Sequence, residues 1–388
     1  MKNSRVAEID ADNLRPFIEQ EVLFASEAAD YLGITSQRLN QLVHTGKIRP
    51  VRKSSSGNLY VRTDLENRHH RINGKQMKCI TQLFENNERE HVYEAINYFT
   101  IQTIYNGSDK KTLPVFYNLN KNWNMGQDLS EKSHEIAKEL LIETETFKKA
   151  HSQVMDGFQQ LGAKDYIVKK GEQHYPSRLA VISDAPMFLF MRGTPGLLER
   201  PLVSIVGSRK PSDDGQGDAY QMSAQMSKND FVVLSGLSGG IDEAVQQAAF
   251  DHGEPAVAVL ATPISHYYGW GNQEIQKHLE TDGLIISQFP PSVKVERWHF
   301  AMRSALMSAL SMATVIGEAY KKSDALKQAD AAVEHERPLL LSQEALNNRE
   351  TLWTNRYMEY SRVFAYRRYK DVIRRVAMIE QEEGQAQL

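Results

Sequence analysis

The stretch that decides the fold runs from Val232 to Val245 and reads VVLSGLSGGIDEAV. Three β-favouring apolar residues lead into a turn of serine and glycine, and a helix-compatible segment follows from Ile241. A strand, a glycine-rich turn and a helix in this order can seat a phosphate group on the backbone amides of a helix N-terminus. The stretch therefore predicts an anion-binding turn, and it leaves open a nucleotide cofactor or a nucleic-acid backbone.

Around this stretch, short apolar runs alternate with segments long enough to form helices. The predicted strands are Leu202–Val206, Phe231–Leu234, Ala256–Leu260, Leu284–Ser287, Ala313–Ile316 and Pro338–Leu341. This alternation predicts βαβ units in an α/β domain with a parallel, Rossmann-like sheet, which we place at residues 166–345. In such sheets ligands bind beyond the carboxyl ends of the strands, beside the glycine-rich turns.

The spacing of the glycines argues against a dinucleotide enzyme. The turn after the first strand reads GSRKPSDDGQG, in which Gly207 and Gly215 stand eight residues apart, and the second turn reads GLSGG. Neither turn fits the G-x-G-x-x-G fingerprint, and the chain contains no G-x-x-x-x-G-K-[ST] phosphate-binding loop. We therefore expect no cofactor.

Several segments occur in the order and spacing of one family. They are HYPSRLAVISDAPMFLFMRG from His174, VSIVGSRKPSDDG from Val203, the stretch from Val232, LIISQFPP from Leu284 and the long run from Phe300 to Leu341. Over Tyr175 to Leu341 the chain thus resembles the DNA-processing protein A (DprA/Smf) family. The resemblance implies a Rossmann-like fold of the group that also includes the LOG-type phosphoribohydrolases.

The resemblance also implies a function, namely binding of single-stranded DNA without catalysis, often by a homodimer that hands the strand to a recombinase. Backbone amides of the turns, with nearby basic side chains, would contact the phosphates. The predicted phosphate and single-strand contacts are Gly207, Ser208, Arg209, Lys210, Ser235, Gly236, Ser238, Gly239, Gly240, Arg303, Lys321 and Lys322. The alternative for Arg209 is a salt bridge to Asp213 or Asp214, and for the two lysines a solvated helix start.

The chain departs from the family pattern at charged positions of this pocket. Gly239 stands where family members usually carry arginine, and only Arg303 remains of an R-N-R stretch. Three carboxylates near strand ends leave a LOG-like hydrolase or nucleotide sensor open. We expect Asp242 to favour a helix start and Glu318 to bond the amides of a neighbouring turn. The lost arginines also leave open an antitoxin-like protein that controls a toxin-type partner.

The N-terminal residues 21–75 contain a second readable pattern. A short helix from Ala25 ends at Gly33, a second helix runs over Gln37–Thr45, and a basic, turn-rich hairpin follows. This order resembles the MerR/excisionase type of winged helix-turn-helix, which binds duplex DNA through its second helix and its wing. The predicted duplex contacts are Ser36, Gln37, Arg38, Gln41, His44, Arg49, Arg52 and Lys53. The alternative is a small helical module for protein contact.

The remaining segments are less specific. We assign residues 1–20 to a tail, 76–165 to a helical connector without a catalytic constellation, and 346–388 to a basic aromatic helix. In that helix Trp353, Tyr357, Tyr360 and Phe364 recur at helical spacing, so they are expected to pack on the sheet or on a partner subunit, with base stacking as the alternative.

The composition limits the class of protein. The single cysteine excludes an internal disulfide and, with scattered histidines, disfavours a structural zinc site. No run of 18 apolar residues and no secretory signal occur, so we expect a cytoplasmic protein without a membrane segment. The net charge of −3 excludes a uniformly basic surface, but Lys and Arg cluster near both ends of the chain. The sequence therefore favours a non-enzymatic DNA-binding protein.

Overall fold

The computed structural model describes residues 22–31, 35–44, 48, 50–52, 57–61, 82–266, 273–321, 323–347 and 352–386. The chain divides into two compact units, Met1–Lys78 and Cys79–Leu388. Among the helices in these ranges, none is long and apolar enough to cross a membrane.

The first unit holds two short helices and a two-stranded sheet. Its elements are β1 (Val22–Phe24), α1 (Ala25–Tyr31), α2 (Ser36–His44) and β2 (Leu59–Val61). The Thr35 hydroxyl accepts a hydrogen bond from the Arg38 amide at 3.1 Å and so caps α2. The strands β1 and β2 pair antiparallel, and Ala28, Leu39 and Tyr60 form the centre of a small core. The order of elements follows the predicted plan, while the winged helix-turn-helix itself stays a prediction.

The second unit is built on a nine-stranded sheet. Its strands are β3 (Asp165–Lys169), β4 (Phe188–Gly193), β5 (Leu202–Val206), β6 (Val232–Ser235), β7 (Ala256–Val259), β8 (Leu284–Ser287), β9 (Ala313–Ile316), β10 (Leu339–Ser342) and β11 (Val363–Tyr366). Their order in the sheet is β11-β10-β9-β5-β6-β7-β8-β4-β3. All six strands predicted from the sequence are present, each within one residue at either end, and they run parallel. The Rossmann-like prediction is confirmed.

Helices flank both faces of this sheet. They are α3 (Arg89–Ile104), α4 (Asp109–Leu119), α5 (Ser133–Glu139), α6 (Thr144–Phe158), α7 (Ser177–Ala180), α8 (Asp213–Ser227), α9 (Ile241–His252), α10 (Gln273–Asp282), α11 (His299–Leu310), α12 (Ala325–Glu334), α13 (Gln343–Asn347) and α14 (Tyr369–Ala386). One buried cluster contains side chains of α8, α9 and α14, and a second contains side chains of α11 and α12. The sheet lies between these clusters, as a parallel sheet covered on both faces requires.

The predicted connector is part of the second unit, because its helices pack on the sheet. The Phe99 ring of α3 lies 5.5 Å from Phe190 of β4, and Phe158 of α6 lies 5.7 Å from the same ring. Sequence reasoning also missed β3 and β4, which pair antiparallel with each other and attach to β8. The compact unit begins at Cys79, so it contains the predicted connector together with the predicted Rossmann-like domain.

The prediction of a single C-terminal helix over residues 346–388 is also wrong. A 3₁₀ turn covers Leu352–Tyr357, β11 extends the sheet in parallel with β10, and α14 begins only at Tyr369. The aromatic stripe packs inward as expected at Trp353 and Tyr357, which are 6% and 2% exposed. The edge of β10 has open backbone donors and acceptors, and the apolar run after Arg362 satisfies them. A strand at this edge therefore replaces the continued helix.

Candidate functional site

Three turns meet at the carboxyl ends of the central strands. They follow β5 at Gly207–Lys210, β6 at Gly236–Gly240 and β9 at Gly317–Ala319. The Ser208 amide donates to the Glu318 carbonyl at 2.8 Å, and the Ser208 carbonyl accepts from the Ile241 amide at 3.1 Å. The backbone amide and carbonyl of Ser208 thus connect the turn after β5 to the turns after β9 and β6. The strand order in the sheet reverses between β5 and β9, next to these turns.

Glycine is required where these turns approach each other. Gly240 has φ of +78°, and a Cβ there would overlap the Ser208 carbonyl oxygen. A Cβ at Gly207 would lie 2.5 Å from Ile241 Cγ1 and 2.8 Å from the Glu318 carbonyl oxygen. Gly239 differs, because a Cβ there would lie 3.9 Å from its nearest neighbours, which is ordinary contact. Position 239 therefore accepts a side chain, and its neighbour does not.

The buried side chain of Arg303 forms hydrogen bonds with the turn after β6 from the interior of the protein. Arg303 Nη1 donates to the Gly236 carbonyl at 2.8 Å and to Ser238 Oγ at 3.0 Å, and Nη2 lies 3.9 Å from Asp242 Oδ2. Burial raises the pKa of Asp242, against the opposing influence of the Arg303 charge and of hydrogen bonds from Ser238. Arg303 is only 6% exposed. Its guanidinium therefore fixes the shape of the turn.

Glu318 ties the turn after β9 to the start of α8. Its carboxylate accepts from the Ser212 amide at 3.0 Å, and the hydroxyls of Ser212 and Tyr320 also donate to it. Burial raises the pKa of Glu318, and these hydrogen bonds lower it by a larger amount. The net pKa is below the usual value of a glutamate, so the carboxylate is ionised at neutral pH. The expected bond from Glu318 to an amide of a neighbouring turn is present.

Arg209 is one of two exposed basic residues in the turn after β5, and it faces the turn after β6. Its side chain is 47% exposed, Nη2 lies 2.9 Å from Asp324 Oδ2, and the guanidinium stands 5.3 Å from the centre of the Phe300 ring. The ion-pair partner of Arg209 is therefore Asp324, and not Asp213 or Asp214, the alternatives that the sequence offered. Asp324 also accepts from Lys327 Nζ at 3.0 Å. Burial raises the pKa of Asp324, and Lys327 and Arg209 lower it by a larger amount. The net pKa is below the usual value of an aspartate, so the carboxylate is ionised at neutral pH.

A pocket of about 100 Å³ opens between these turns and the start of α11, and we call it the turn pocket. Its lining residues are Arg209, Gly236, Leu237, Ser238, Gly239, Leu260, Ala261, Thr262, Gln276, Phe300 and Arg303. Thr262 is buried, and within the described ranges its hydroxyl has no hydrogen-bond partner. This hydroxyl is shielded from solvent, so the half-exposed Arg209 guanidinium is the accessible charged group among the lining side chains.

The predicted phosphate-binding residues divide into two groups. Arg209, Gly236, Ser238, Gly239 and Arg303 line the turn pocket, whereas Gly207, Ser208 and Gly240 form the junction of the turns. Ser235 is the last residue of β6, and its buried hydroxyl donates to the Ile205 carbonyl at 3.0 Å. Its predicted phosphate contact stays a prediction.

The predicted lysines do not line the pocket within the described residues. Lys210 and Lys321 are exposed side chains beside the turns, and Lys322 lies outside the described residues. Sequence reasoning missed Phe300, although it stands three residues before Arg303 and helical periodicity places the two on one face. Thr262 directly follows the predicted strand Ala256–Leu260, which places it at this edge of the sheet, although it was not among the predicted contacts. Asp324 was missed as well, and its proximity to Arg209 has no signal in the local sequence.

The predicted duplex contacts lie on the first unit. Ser36, Gln37, Arg38, His44 and Arg52 are exposed, and Gln41 is half-buried. The Arg38 guanidinium donates to the Gln41 side-chain carbonyl, and both project from the face of α2 opposite the buried Leu39 and Leu42. Arg49 and Lys53 lie outside the described residues.

Comparisons with known proteins agree with this fold. The family model described as DNA recombination-mediator protein A matches residues 166–377. The DNA processing protein DprA of Streptococcus pneumoniae is 33% identical over 163 residues, which cover 42% of this chain and 57% of that protein. DprA of Bacillus subtilis is 28% identical over 199 residues, which cover 51% of this chain and 66% of that protein. The match thus spans less than two thirds of either relative.

A solved structure adds to the comparison of folds. The X-ray structure of DprA from Streptococcus pneumoniae superposes with a TM-score of 0.56 at 22% identity, covering 74% of this chain and 98% of that chain. The covered share is larger than the Rossmann-like sheet region alone, so the likeness in fold extends beyond the segment that the sequence motifs mark.

Two adjacent glycines provide a matched test of the turn junction. Gly240→Ala is expected to lower the free energy of unfolding by about 1–3 kcal/mol, because alanine disfavours this positive φ and its Cβ meets the Ser208 carbonyl. Gly239→Ala is expected to change it by no more than about 0.5 kcal/mol. Urea denaturation of the full chain measures both. Equal effects of the two substitutions would contradict the geometry described for the junction.

Proposed function

Because the chain belongs to the DNA recombination-mediator protein A family, we propose that its second unit binds single-stranded DNA at the turn pocket. The observation that carries the proposal is the rigid edge formed by three cross-linked turns, with the half-exposed Arg209 standing over Phe300. The edge faces outward from the carboxyl ends of the strands, where Rossmann-like sheets bind their ligands.

The chemistry of this edge suits a nucleic-acid backbone. The start of α9 presents the positive end of its dipole, which favours an anion. Two carboxylates, those of Asp242 and Glu243, stand in the same turn, and the Ile241 amide is bonded to Ser208. Arg209 exchanges Asp324 for a phosphate without losing a charge-assisted hydrogen bond. The Phe300 ring lies 5.3 Å from the Arg209 guanidinium and 5.7 Å from that of Arg303, and these cation–π contacts help to hold Arg209 at the pocket. These contacts support binding without sequence preference.

The same charges limit the affinity. Asp324 competes with phosphate for Arg209, and Glu243 Oε2 lies 3.9 Å from where a Cβ at Gly239 would stand. We propose that the chain binds single strands weakly and with a shallow dependence on salt, because few phosphates are neutralised. Restoring one arginine at position 239 then strengthens binding, since that position has room for a side chain.

The proposal gives no catalytic role to the carboxylates of the site. Asp242 is buried against Ser238 and Arg303, and Glu318 holds Ser212. Family membership favours DNA handling over the control of a toxin-type protein or the cleavage of a nucleotide. A homodimer and a recombinase partner stay predictions from the resemblance, and a cytoplasmic location stays a prediction from the composition.

The proposal is tested by fluorescence anisotropy with a labelled oligothymidine across a salt series. Arg209→Ala is expected to weaken binding about tenfold or more, as for loss of a hydrogen bond between charged groups. Gly239→Arg is expected to tighten binding and to steepen the slope of log affinity against log salt by about 0.7, one added phosphate contact.

The matched control is Arg200→Ala. Arg200 lies two residues before β5, whereas Arg209 follows the other end of the same strand. The affinity of Arg200→Ala is expected to equal that of the unaltered chain. Identical losses at positions 200 and 209 would overturn the site assignment, and a wild-type chain that binds no single strand at low salt would overturn the function.

For the first unit we propose binding of duplex DNA through α2. The supporting observation is that polar side chains project from α2 on the face opposite its buried leucines, with the Arg38 guanidinium oriented by Gln41. A guanidinium fixed in this way fits the base edges or phosphates of a major groove.

Arg38→Ala tests this second role on the full chain. Its affinity for a mixed pool of duplex oligonucleotides is expected to fall about fivefold to a hundredfold, while its affinity for oligothymidine stays unchanged. Arg209→Ala should show the opposite pattern. The duplex proposal fails if Arg38→Ala leaves duplex affinity unchanged or lowers both affinities equally.

A further inference from the structure

A second cavity lies on the other side of α11 from the turn pocket. It has a volume of about 230 Å³ and opens between the helices α3 and α4 and the turn after β8. We call it the aromatic pocket, because its walls include Tyr98, Phe99, Phe188, Phe289, Trp298 and His299. Nothing in the function proposed above uses this cavity.

Three rings form a fixed stack at one wall of the aromatic pocket. The Phe289 and His299 rings lie 4.0 Å apart and are nearly parallel at 19°, and Trp298 meets His299 edge to face at 4.2 Å. Trp298 is nevertheless 47% exposed, and its indole also lies near Gly107 on the opposite wall. A large aromatic side chain that is held by neighbours yet half-exposed offers a surface for a planar ligand.

The rest of the lining is rich in amides. Gln102, Asn106, Gln153 and Gln288 face the cavity, and the Asp109 carboxylate there already accepts hydrogen bonds from Tyr98 and Gln102, both at 2.6 Å. Amide side chains both donate and accept hydrogen bonds, as the edges of nucleobases do. The exposed Lys294 adds a positive charge at the rim. Two carboxylates, those of Asp109 and the exposed Glu296, also line the cavity. The combination of rings and amides therefore suits an uncharged base, with the phosphates left outside.

The size of the cavity suits one ring system. Pockets for drug-sized ligands have volumes of about 300–1,000 Å³, and the aromatic pocket is smaller at about 230 Å³. A dinucleotide therefore exceeds it, whereas a single base enters with its sugar left outside.

The two pockets share the first turn of α11. Phe300 and Arg303 line the turn pocket, whereas His299 and Met302 line the aromatic pocket. The His299 ring also hydrogen-bonds the backbone of Ala261, which lines the turn pocket. Adjacent positions on one turn of α11 thus line the site proposed for phosphate and the second cavity, so a strand bound at the first lies close to the second.

We infer that the aromatic pocket takes a nucleobase of the bound single strand, with Trp298 as its stacking surface. The inference rests on the proposed binding of single strands and adds a second subsite beside the phosphate contacts. Phosphates at the turn pocket fix the position of the strand, and the base that follows inserts between Trp298 and the amides of α3. Since stacking is possible for every base, the subsite adds affinity with little sequence preference.

The test compares two strands of equal length, oligothymidine and an all-abasic strand that keeps the phosphates. Trp298→Ala is expected to weaken binding of oligothymidine about fivefold or more, the loss of one stacked base. It should leave binding of the abasic strand unchanged. Trp298→Phe keeps an aromatic ring and should retain most of the affinity for oligothymidine.

Intrinsic fluorescence gives a second readout that does not depend on the alanine variant. The chain has four tryptophans, and oligothymidine is expected to quench the emission of the unaltered chain more than that of Trp298→Phe. The abasic strand should quench neither.

The possible outcomes separate the inference from the function on which it rests. If Trp298→Ala weakens binding of both strands equally, or of neither, the base subsite is refuted while binding at the turn pocket stands. If the unaltered chain binds neither strand, the proposed function fails and the inference fails with it.

Discussion

The backbone of Ser208 is the point on which the rest of the site depends. Its amide bonds the turn after β9 and its carbonyl bonds the start of α9, so three turns from distant parts of the chain are fixed to each other. Only glycine at positions 207 and 240 permits this approach. Glu318 and Arg303 then brace the turns from either side. Arg209 projects from a rigid support as a result, so the phosphate contact that we propose there needs no ordering of the loops.

Much of the fold was predictable, because the parallel strands are buried on both faces and read as continuous apolar runs between turns. The three missed strands lie outside that central set. Phe188–Gly193 pairs antiparallel with β8, and its apolar run gives no sign of direction. Val363–Tyr366 continues an aromatic stripe that also fits a helix, and the open edge of β10, which is distant in sequence, decides between the two. The local periodicity of a sequence does not show which distant segments pair in a sheet.

The site was predictable in place more than in the role of each residue. Glycine spacing located the turns, and the resemblance pointed to Arg209. Arg303 and Ser235 form buried hydrogen bonds to backbone carbonyls and so stabilise the site. The sequence does not show how deeply each side chain is buried. Asp324 meets Arg209 only because the start of α12 returns to the same edge of the sheet. A family motif marks which residues matter, and the three-dimensional contacts assign whether each one binds or supports.

We propose that a single strand of DNA binds this protein at the fixed junction of the turns. Amide hydrogen exchange on the full chain, with and without saturating oligothymidine, tests this claim most directly, because bound phosphates protect the backbone amides that they contact. The account predicts slower exchange in residues 207–210 and 236–240 when the strand is bound. Unchanged exchange in both turns, with the strand bound and protection confined to other parts of the chain, would contradict it.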